Sequence, residues 1–304
     1  MLLTIPAYPI IPRPKCLLLG NGINNLFDVA SWQKIIENEL RHSKSEYSFA
    51  DIKAMPATMQ IIVATNDDVS NRMHALAGEM LKTNMTEDRV QFLNKLLNLP
   101  MDDIFTTNYS FELEAADGMP MSKNAYSHEL KKTKKLSNPK SAFRIYQYYQ
   151  TRNGKRIWHI HGDIAKPDTM LMGHYYYAKH LHSIQKCVPD TIKKASIAIK
   201  NDKMFRPDNW VDLFLTGDVY ILGFGMYLCE ADMWYLACCK KRHFPDTKIT
   251  FYEMCTNDRE KGYMMEAYNI HVVTGNDLHT NDYCSFYLAA IQDIQHRMEN
   301  SCEV

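Results

Sequence analysis

Residues 16–25 read CLLLGNGINN, four apolar residues followed by a turn with two glycines. A near-continuous hydrophobic run is typical of a parallel strand that is covered on both faces. In the turn, Gly20 and Gly22 let the backbone approach a phosphate closely, and the N–H groups at a following helix start favour an anion. A turn that simply needs flexible residues would show the same pattern. The stretch therefore predicts the first strand of an open sheet and a candidate anion site.

Five more apolar runs have the same character and predict further buried strands. They are DIFTT (103–107), IWHIHG (157–162), VYILGF (219–224), ITFYEM (249–254) and IHVVT (270–274). Helices are predicted between or after them at 31–41, 86–98, 230–242 and 283–298, the first with Ser31 as its cap. Strands that alternate with helices indicate crossover units and an open parallel sheet.

The spacing of the runs predicts one large domain with insertions. About eighty residues separate the first two strands and about fifty the next two, more than one crossover helix needs. We interpret 31–100 and 113–150 as mostly helical insertions in a domain over 15–304. The four prolines in 1–14 predict an extended N-terminal arm. The most basic segment, HELKKTKK (128–135), is interpreted as a solvated loop or helix end, with an acidic partner or nucleic acid as the alternative.

Composition excludes several classes of protein. Lys plus Arg and Asp plus Glu both number 35, and this zero net charge argues against a protein that mainly binds nucleic acid. The first residues lack the pattern of a signal peptide, and no apolar run approaches about 18 residues, so no transmembrane helix is expected. Eight cysteines occur without a CxxC pair, which disfavours a zinc ribbon or a disulfide framework. The expected location is the cytoplasm.

Polar residues follow the predicted strands where ligands bind in open parallel sheets. Thr106-Thr107-Asn108-Tyr109 follows the second strand, and His159 and His161 end the third, where the strand period predicts that they point to the same side. A histidine at a strand end followed by glycine is a candidate general base. The alternatives are hydrogen-bonded core histidines, above all for His159, or half of a metal site, which the absence of HExxH disfavours.

A second glycine turn, Gly223-Phe224-Gly225, follows the fourth strand and precedes Glu230 and Asp232. The two glycine turns lie on either side of the sheet edge that is predicted to carry His159 and His161. This arrangement suits a dinucleotide, which has two phosphates to bind. The GxGxxG fingerprint is absent, so an ordinary dehydrogenase is disfavoured.

The order LLLGNGIN, IFTTNY, HIHGD and ILGFGM..CEAD, over about residues 15–275, resembles the sirtuin-like NAD-consuming fold. It most resembles the bacterial sirtuin-like NADases of antiphage defence. The resemblance implies an α/β fold: a Rossmann-like, open parallel six-stranded sheet with helices on both faces and a helical insertion. It implies Asn108 and His161 as catalytic residues, with Asn108 positioning the riboside and water. The implied NAD-binding residues are Gly20, Asn21, Gly22, Asn24, Thr106, Thr107, Tyr109, Gly162, Gly223, Phe224, Gly225 and Glu253.

The implied activity is hydrolysis of NAD to nicotinamide and ADP-ribose, which would deplete NAD during abortive infection. A non-catalytic subunit that binds NAD or ADP-ribose and an ADP-ribosyl transferase are the alternatives. The paired zinc-binding cysteines of deacetylating sirtuins are absent, so neither zinc nor deacylation is expected, and NAD is expected as substrate rather than cofactor. Ser110 stands where many relatives have Asp.

The implied partners are other copies of the chain in a homo-oligomer and a separately encoded activator such as a HerA-type ATPase. Contact with a membrane or direct binding to nucleic acid is not expected. The segment 166–186 carries several aromatic residues after the histidine strand and is interpreted either as packing over the sheet or as a lid.

Overall fold

The computed structural model describes residues 13–27, 32–80, 85–119, 139–255 and 258–300. Nearly all of the predicted N-terminal arm, the predicted cap Ser31 and the basic segment 128–135 lie outside these ranges. In the described part of the chain, no helix is long and apolar enough to cross a membrane.

The described strands form one sheet in the order β3-β4-β2-β1-β5-β6-β7. Their bounds are β1 Lys15–Leu19, β2 Asp103–Thr106, β3 Tyr149–Gln150, β4 Arg156–His159, β5 Asp218–Leu222, β6 Ile249–Glu253 and β7 Ile270–Thr274. All six predicted strands are present, and they pair in parallel. The expected strand number of six is wrong by one, because β3 adds an antiparallel edge to β4. With only two residues, β3 has no hydrophobic run by which to be found.

Helices connect the strands. They are α1 Trp32–His42, α2 Phe49–Ile52, α3 Ala57–Ala64, α4 Val69–Met80, α5 Glu87–Leu97, α6 Glu112–Ala116, α7 Pro139–Tyr146, α8 His174–Lys200, α9 Trp210–Thr216, α10 Ala231–His243, α11 Arg259–Ala267 and α12 Tyr283–Asn300, with 3₁₀ turns at Asn21–Phe27 and Pro167–Thr169. Side-chain caps begin several of them: Thr86 accepts from the Arg89 N–H before α5, and Asn209 accepts from the Asp212 N–H before α9.

Helices cover both faces of the sheet, as expected. On β1, Leu17 and Leu19 belong to the core that includes buried residues of α1, α3, α4, α5 and α12. Cys16 and Leu18, which alternate with them, belong to the core with α8, α9 and α10. Complete burial of one such leucine contributes about 1.5–3 kcal/mol, so two covered faces anchor β1 firmly in the core.

The strand order places a topological switch point beside β1. From β1 the chain proceeds to β2 and β4 on one side and then crosses to β5 on the other. The turns after β1 and β5 are tied together by hydrogen bonds from the Gly20 N–H to the Leu222 carbonyl (3.0 Å) and from the Gly22 N–H to the Gly223 carbonyl (2.7 Å). A crevice at the carboxyl ends of the strands is the expected ligand position in this architecture.

Candidate active site

A cavity of about 730 Å³ lies at this switch point. Its walls come from the turns after β1, β2, β4, β5 and β6, from the start of α1 and α3, and from α12. The predicted site residues that line it are Asn21, Gly22, Asn24, Thr107, Asn108, Tyr109, His161, Gly223, Phe224, Gly225 and Glu253. One cavity therefore brings together most of the positions that the sequence singled out.

Three predicted site residues, Gly20, Thr106 and Gly162, are not in the cavity wall. Thr106 ends β2, and its Oγ1 accepts the Asn108 N–H at 3.1 Å. A Cβ on Gly20 would lie 2.4 Å from the Gly223 carbonyl oxygen, so this glycine permits the two turns to touch. Gly162 has φ +86°, and a Cβ there would lie 2.1 Å from the Thr169 carbonyl oxygen. The structure gives all three a role in shaping the backbone of the site, and their contact with NAD stays a prediction.

Asn108 is held at its side chain and at its backbone. Its Nδ2 donates to Glu112 Oε1 at 2.7 Å, and its carbonyl oxygen accepts from His159 Nδ1 at 2.8 Å. A carboxylate only accepts hydrogen bonds, so the amide nitrogen must face Glu112. The other amide atom, Oδ1, is buried and has no partner among the described residues. The arrangement leaves a fixed acceptor at the cavity wall.

Glu112 joins the first two turns of the site and was missed by the sequence analysis. Besides Asn108, its carboxylate accepts from Asn24 Nδ2 at 3.0 Å and from Ser110 Oγ. Asn24 Oδ1 in turn accepts from Arg89 Nη2 at 2.8 Å. Burial lowers the pKa of Arg89, and the nearby Glu112 carboxylate opposes that effect. Ser110 thus donates to a carboxylate two residues further on, which supplies the negative charge that Ser110 itself lacks.

His159 holds the backbone of Asn108 through its imidazole ring. Its Nδ1 lies against the Asn108 carbonyl, and its Nε2 is 2.9 Å from Glu114 Oε1. Since both ring nitrogens face acceptors, both carry protons. Burial disfavours the charged ring, but the Glu114 carboxylate outweighs burial and raises the pKa of His159 to about 9. His159 is therefore a hydrogen-bonded core histidine, which was one of the alternatives.

His161 has a different set of partners from His159. The strand ends at His159 and the chain turns, so the alternation that predicts a shared side no longer applies, and that prediction is wrong. The His161 Nε2 is 3.0 Å from Asp232 Oδ2, and its Nδ1 is 3.4 Å from the Tyr177 hydroxyl. Burial alone would raise the pKa of Asp232, but His161 outweighs it and the pKa is lowered. An ionised Asp232 holds the proton on Nε2 and leaves Nδ1 as the basic atom.

His161, His180 and Asp232 are close enough to share a metal ion, with their ligand atoms within 4.8 Å. Arg144 Nε donates to His180 Nδ1 at 3.3 Å, which puts the proton of a neutral ring on Nε2, the atom nearest Asp232. Burial and then the Arg144 charge hold the pKa of His180 well below its usual range. A protonated nitrogen next to a guanidinium does not suit a cation, so this donor set fits hydrogen bonding better than metal binding.

The opposite end of the cavity is formed by β6 and α12. Glu253, the last residue of β6, forms an ion pair with Lys261, whose Nζ also lies 4.7 Å from the centre of the Phe251 ring. Tyr283 and Phe286 line this end. The Glu253 side chain is 24% exposed and faces the cavity, a position where a carboxylate can accept ribose hydroxyls.

The aromatic residues of the segment 166–186 differ in their surroundings. Tyr177 on α8 lines the cavity and contacts His161, whereas Tyr176 packs against the core. Tyr175 is 62% exposed. One face of α8 thus forms part of the cavity wall.

The model of one protein family matches the chain over residues 23–253, about three quarters of its length, and this segment includes Asn108, His161, Glu230 and Asp232. The family is described as bacteriophage abortive infection AbiH. Among curated proteins, none matches the chain significantly. A match of this extent shows that the chain belongs to the AbiH family of bacteriophage abortive infection proteins and acts in antiphage defence.

Proposed function

We propose that this AbiH protein cleaves the nicotinamide N-glycosidic bond of NAD with water, giving nicotinamide and ADP-ribose. The observation that carries the proposal is the buried Asn108 Oδ1, which no described residue hydrogen-bonds, in the same cavity as the Asp232-bound His161. Loss of NAD would deprive the phage of a metabolising host, which agrees with a role in abortive infection.

The shape of the site supports a dinucleotide as ligand. A cavity of about 730 Å³ lies within the usual range of about 300–1,000 Å³ for cofactor sites. The linked turns at Gly22 and Gly223 offer backbone to a diphosphate between the two ends. Glu253 at one end suits the adenosine ribose, and Asn108 with His161 at the other suits the nicotinamide riboside.

The proposed reaction needs little covalent help from the protein. The nicotinamide C–N bond breaks with its electron pair going to the ring nitrogen, which loses its positive charge. The oxygen of a water molecule forms the new bond to the ribose carbon. Asn108 Oδ1 accepts a hydrogen bond from that water, and His161 Nδ1 takes its proton. Asp232 stabilises the imidazolium that results, since its carboxylate faces Nε2 at 3.0 Å.

The test is to incubate the purified protein with NAD and quantify nicotinamide and ADP-ribose by liquid chromatography. His161→Ala is expected to lower turnover by about 10²- to 10⁴-fold, the usual contribution of a positioned base. His182→Ala is the matched control, because His182 is exposed on the same helix as Tyr177. Unchanged NAD loss in His161→Ala would contradict the mechanism.

The same assay separates the other functions. NAD binding without nicotinamide release would favour a non-catalytic subunit, and an ADP-ribosylated acceptor found by mass spectrometry would favour a transferase. An enzyme that destroys NAD has to be held inactive, so we include homo-oligomer formation and a separately encoded activator, such as a HerA-type ATPase, in the proposal. Assays with and without the products of neighbouring genes test that part.

A further inference from the structure

Glu230 occupies the cavity wall just before α10 with an unsatisfied carboxylate oxygen. The residue is 8% exposed and lines the cavity together with Tyr177. The second oxygen, Oε2, is buried and has no hydrogen-bond partner among the described residues. A buried acceptor without a donor is costly, and in a cavity wall it indicates that a ligand supplies the donor.

The groups around Glu230 offer no substitute for such a ligand. Asp232 on its own helix is a second carboxylate, and His161 Nε2 is already committed to it. The Tyr109 hydroxyl donates to the Leu171 carbonyl at 2.7 Å. Cys229 adds only a weakly donating thiol, whose pKa burial and then Glu230 raise.

We propose that Glu230 Oε2 accepts a hydrogen bond from a hydroxyl of the ribose that carries nicotinamide. This inference rests on the proposed function and adds a substrate-contacting residue to it. Phosphate groups of NAD only accept hydrogen bonds and would repel the carboxylate, so the donor is a hydroxyl or amino group of NAD and not its diphosphate. Glu230 lies two residues before Asp232, the partner of His161, and both Glu230 and His161 line the cavity, which places Glu230 near the group that handles the reacting sugar.

A charged Glu230 would also act on the reaction itself. The sugar develops positive charge as nicotinamide leaves, and a carboxylate at the ribose stabilises that charge. Burial and then the like charge of Asp232 raise the pKa of Glu230 to about 7. The contact therefore strengthens as the pH rises through neutrality.

Glu230→Gln tests the contact, because glutamine keeps the shape and one acceptor oxygen but lacks the charge. We compare the kcat/KM for NAD of wild type and Glu230→Gln from pH 5.5 to 8.5. Groups that titrate independently of Glu230 cancel in the ratio. Hydrogen bonds to charged groups correspond to about 10- to 100-fold, so we expect that ratio at pH 8.5 and a ratio near one at pH 5.5. The control is Glu266→Gln, the same substitution on the exposed side of α11.

Each outcome decides the proposal. A ratio near one at every pH overturns the contact while leaving NAD cleavage intact, and a constant ratio at every pH shows a structural defect and also overturns it. If the wild type binds ADP-ribose without cleaving NAD, the hydrolase proposal fails, and calorimetry with ADP-ribose decides about Glu230. At least tenfold weaker binding by Glu230→Gln at pH 8.5 then supports the contact, and equal binding rejects it. A wild type that binds neither molecule overturns both proposals.

Discussion

Glu230→Gln should make the protein more stable while it makes the site less effective. The pKa of Glu230 is raised from an ordinary value of 4.5 to about 7 by burial and by Asp232. A raised carboxyl pKa means that the folded state disfavours the ionised form. The resulting decrease in the free energy of unfolding is absent below about pH 4.5, grows as the pH rises, and reaches its full size above about pH 7.

The magnitude follows from the size of this pKa change. A tenfold change in an ionisation constant corresponds to about 1.4 kcal/mol, so ionised Glu230 lowers the free energy of unfolding by roughly 3 kcal/mol. The residue is 8% exposed, so solvent screening reduces this figure little. Glutamine is neutral at every pH and removes the cost. The carboxylate is retained at the expense of stability, as is common for groups that serve a ligand.

Urea unfolding followed by circular dichroism at pH 8.5, 6.0 and 4.5 measures the effect. Glu230→Gln should be more stable than wild type by roughly 3 kcal/mol at pH 8.5 and by less than about 0.5 kcal/mol at pH 4.5. Glu266→Gln should remain within about 0.5 kcal/mol of wild type throughout, since Glu266 is exposed. Equal or lower stability of Glu230→Gln at pH 8.5 would refute the reasoning, because the buried charge would then be well stabilised.

Substitutions at three further positions test the residues that support the site. His159→Ala should lower the free energy of unfolding by about 3–5 kcal/mol, because it breaks a buried ion pair. The pKa of His159 is raised to about 9, so its charge stabilises the fold fully below about pH 6.5, and this contribution is lost as the pH rises through 9. Unfolding experiments at pH 6 and pH 10 measure the difference. Glu112→Ala should lower kcat for NAD by about 100-fold with a smaller effect on KM, because the Asn108 amide loses its hydrogen bond to Glu112. Glu112→Gln should restore most of the lost kcat. Equal kcat values for the two variants would show that this hydrogen bond is not needed. Gly162→Ala should lower the free energy of unfolding by at least about 2 kcal/mol, because Gly162 has a positive φ and a Cβ there would clash with Thr169. A melting temperature equal to that of wild type would contradict this prediction.

The sequence allowed the sheet to be predicted well, and most of the residues that it singled out line the cavity. The apolar runs of β1 and β5 are local features, and parallel strands bring their carboxyl ends to one edge whatever lies between them. Asn108 and His161 follow neighbouring strands, so the register of β2 with β4 brings both to the cavity. Among the strands of the described residues, β3 alone, with two residues, escaped detection.

The supporting residues could not be predicted, because their partners are distant in sequence. Glu112 binds Asn24, which lies 88 residues earlier, and Asp232 binds His161 across 71 residues. Carboxylates at the start of α6 or α10 would look the same if they faced water, so the sequence contained no signal for either hydrogen bond.

For the two histidines, too, the sequence determined the position and the tertiary structure determined the role. The sequence by itself determined that an α/β sheet presents His159 and His161 near its ligand edge, because hydrophobic runs and strand order are encoded locally. Only the tertiary structure decided that His159 is a charged support against Glu114 and that His161 keeps a basic nitrogen beside Tyr177. Protonation depends on burial and on neighbouring charges, and those are set by helices from remote parts of the chain.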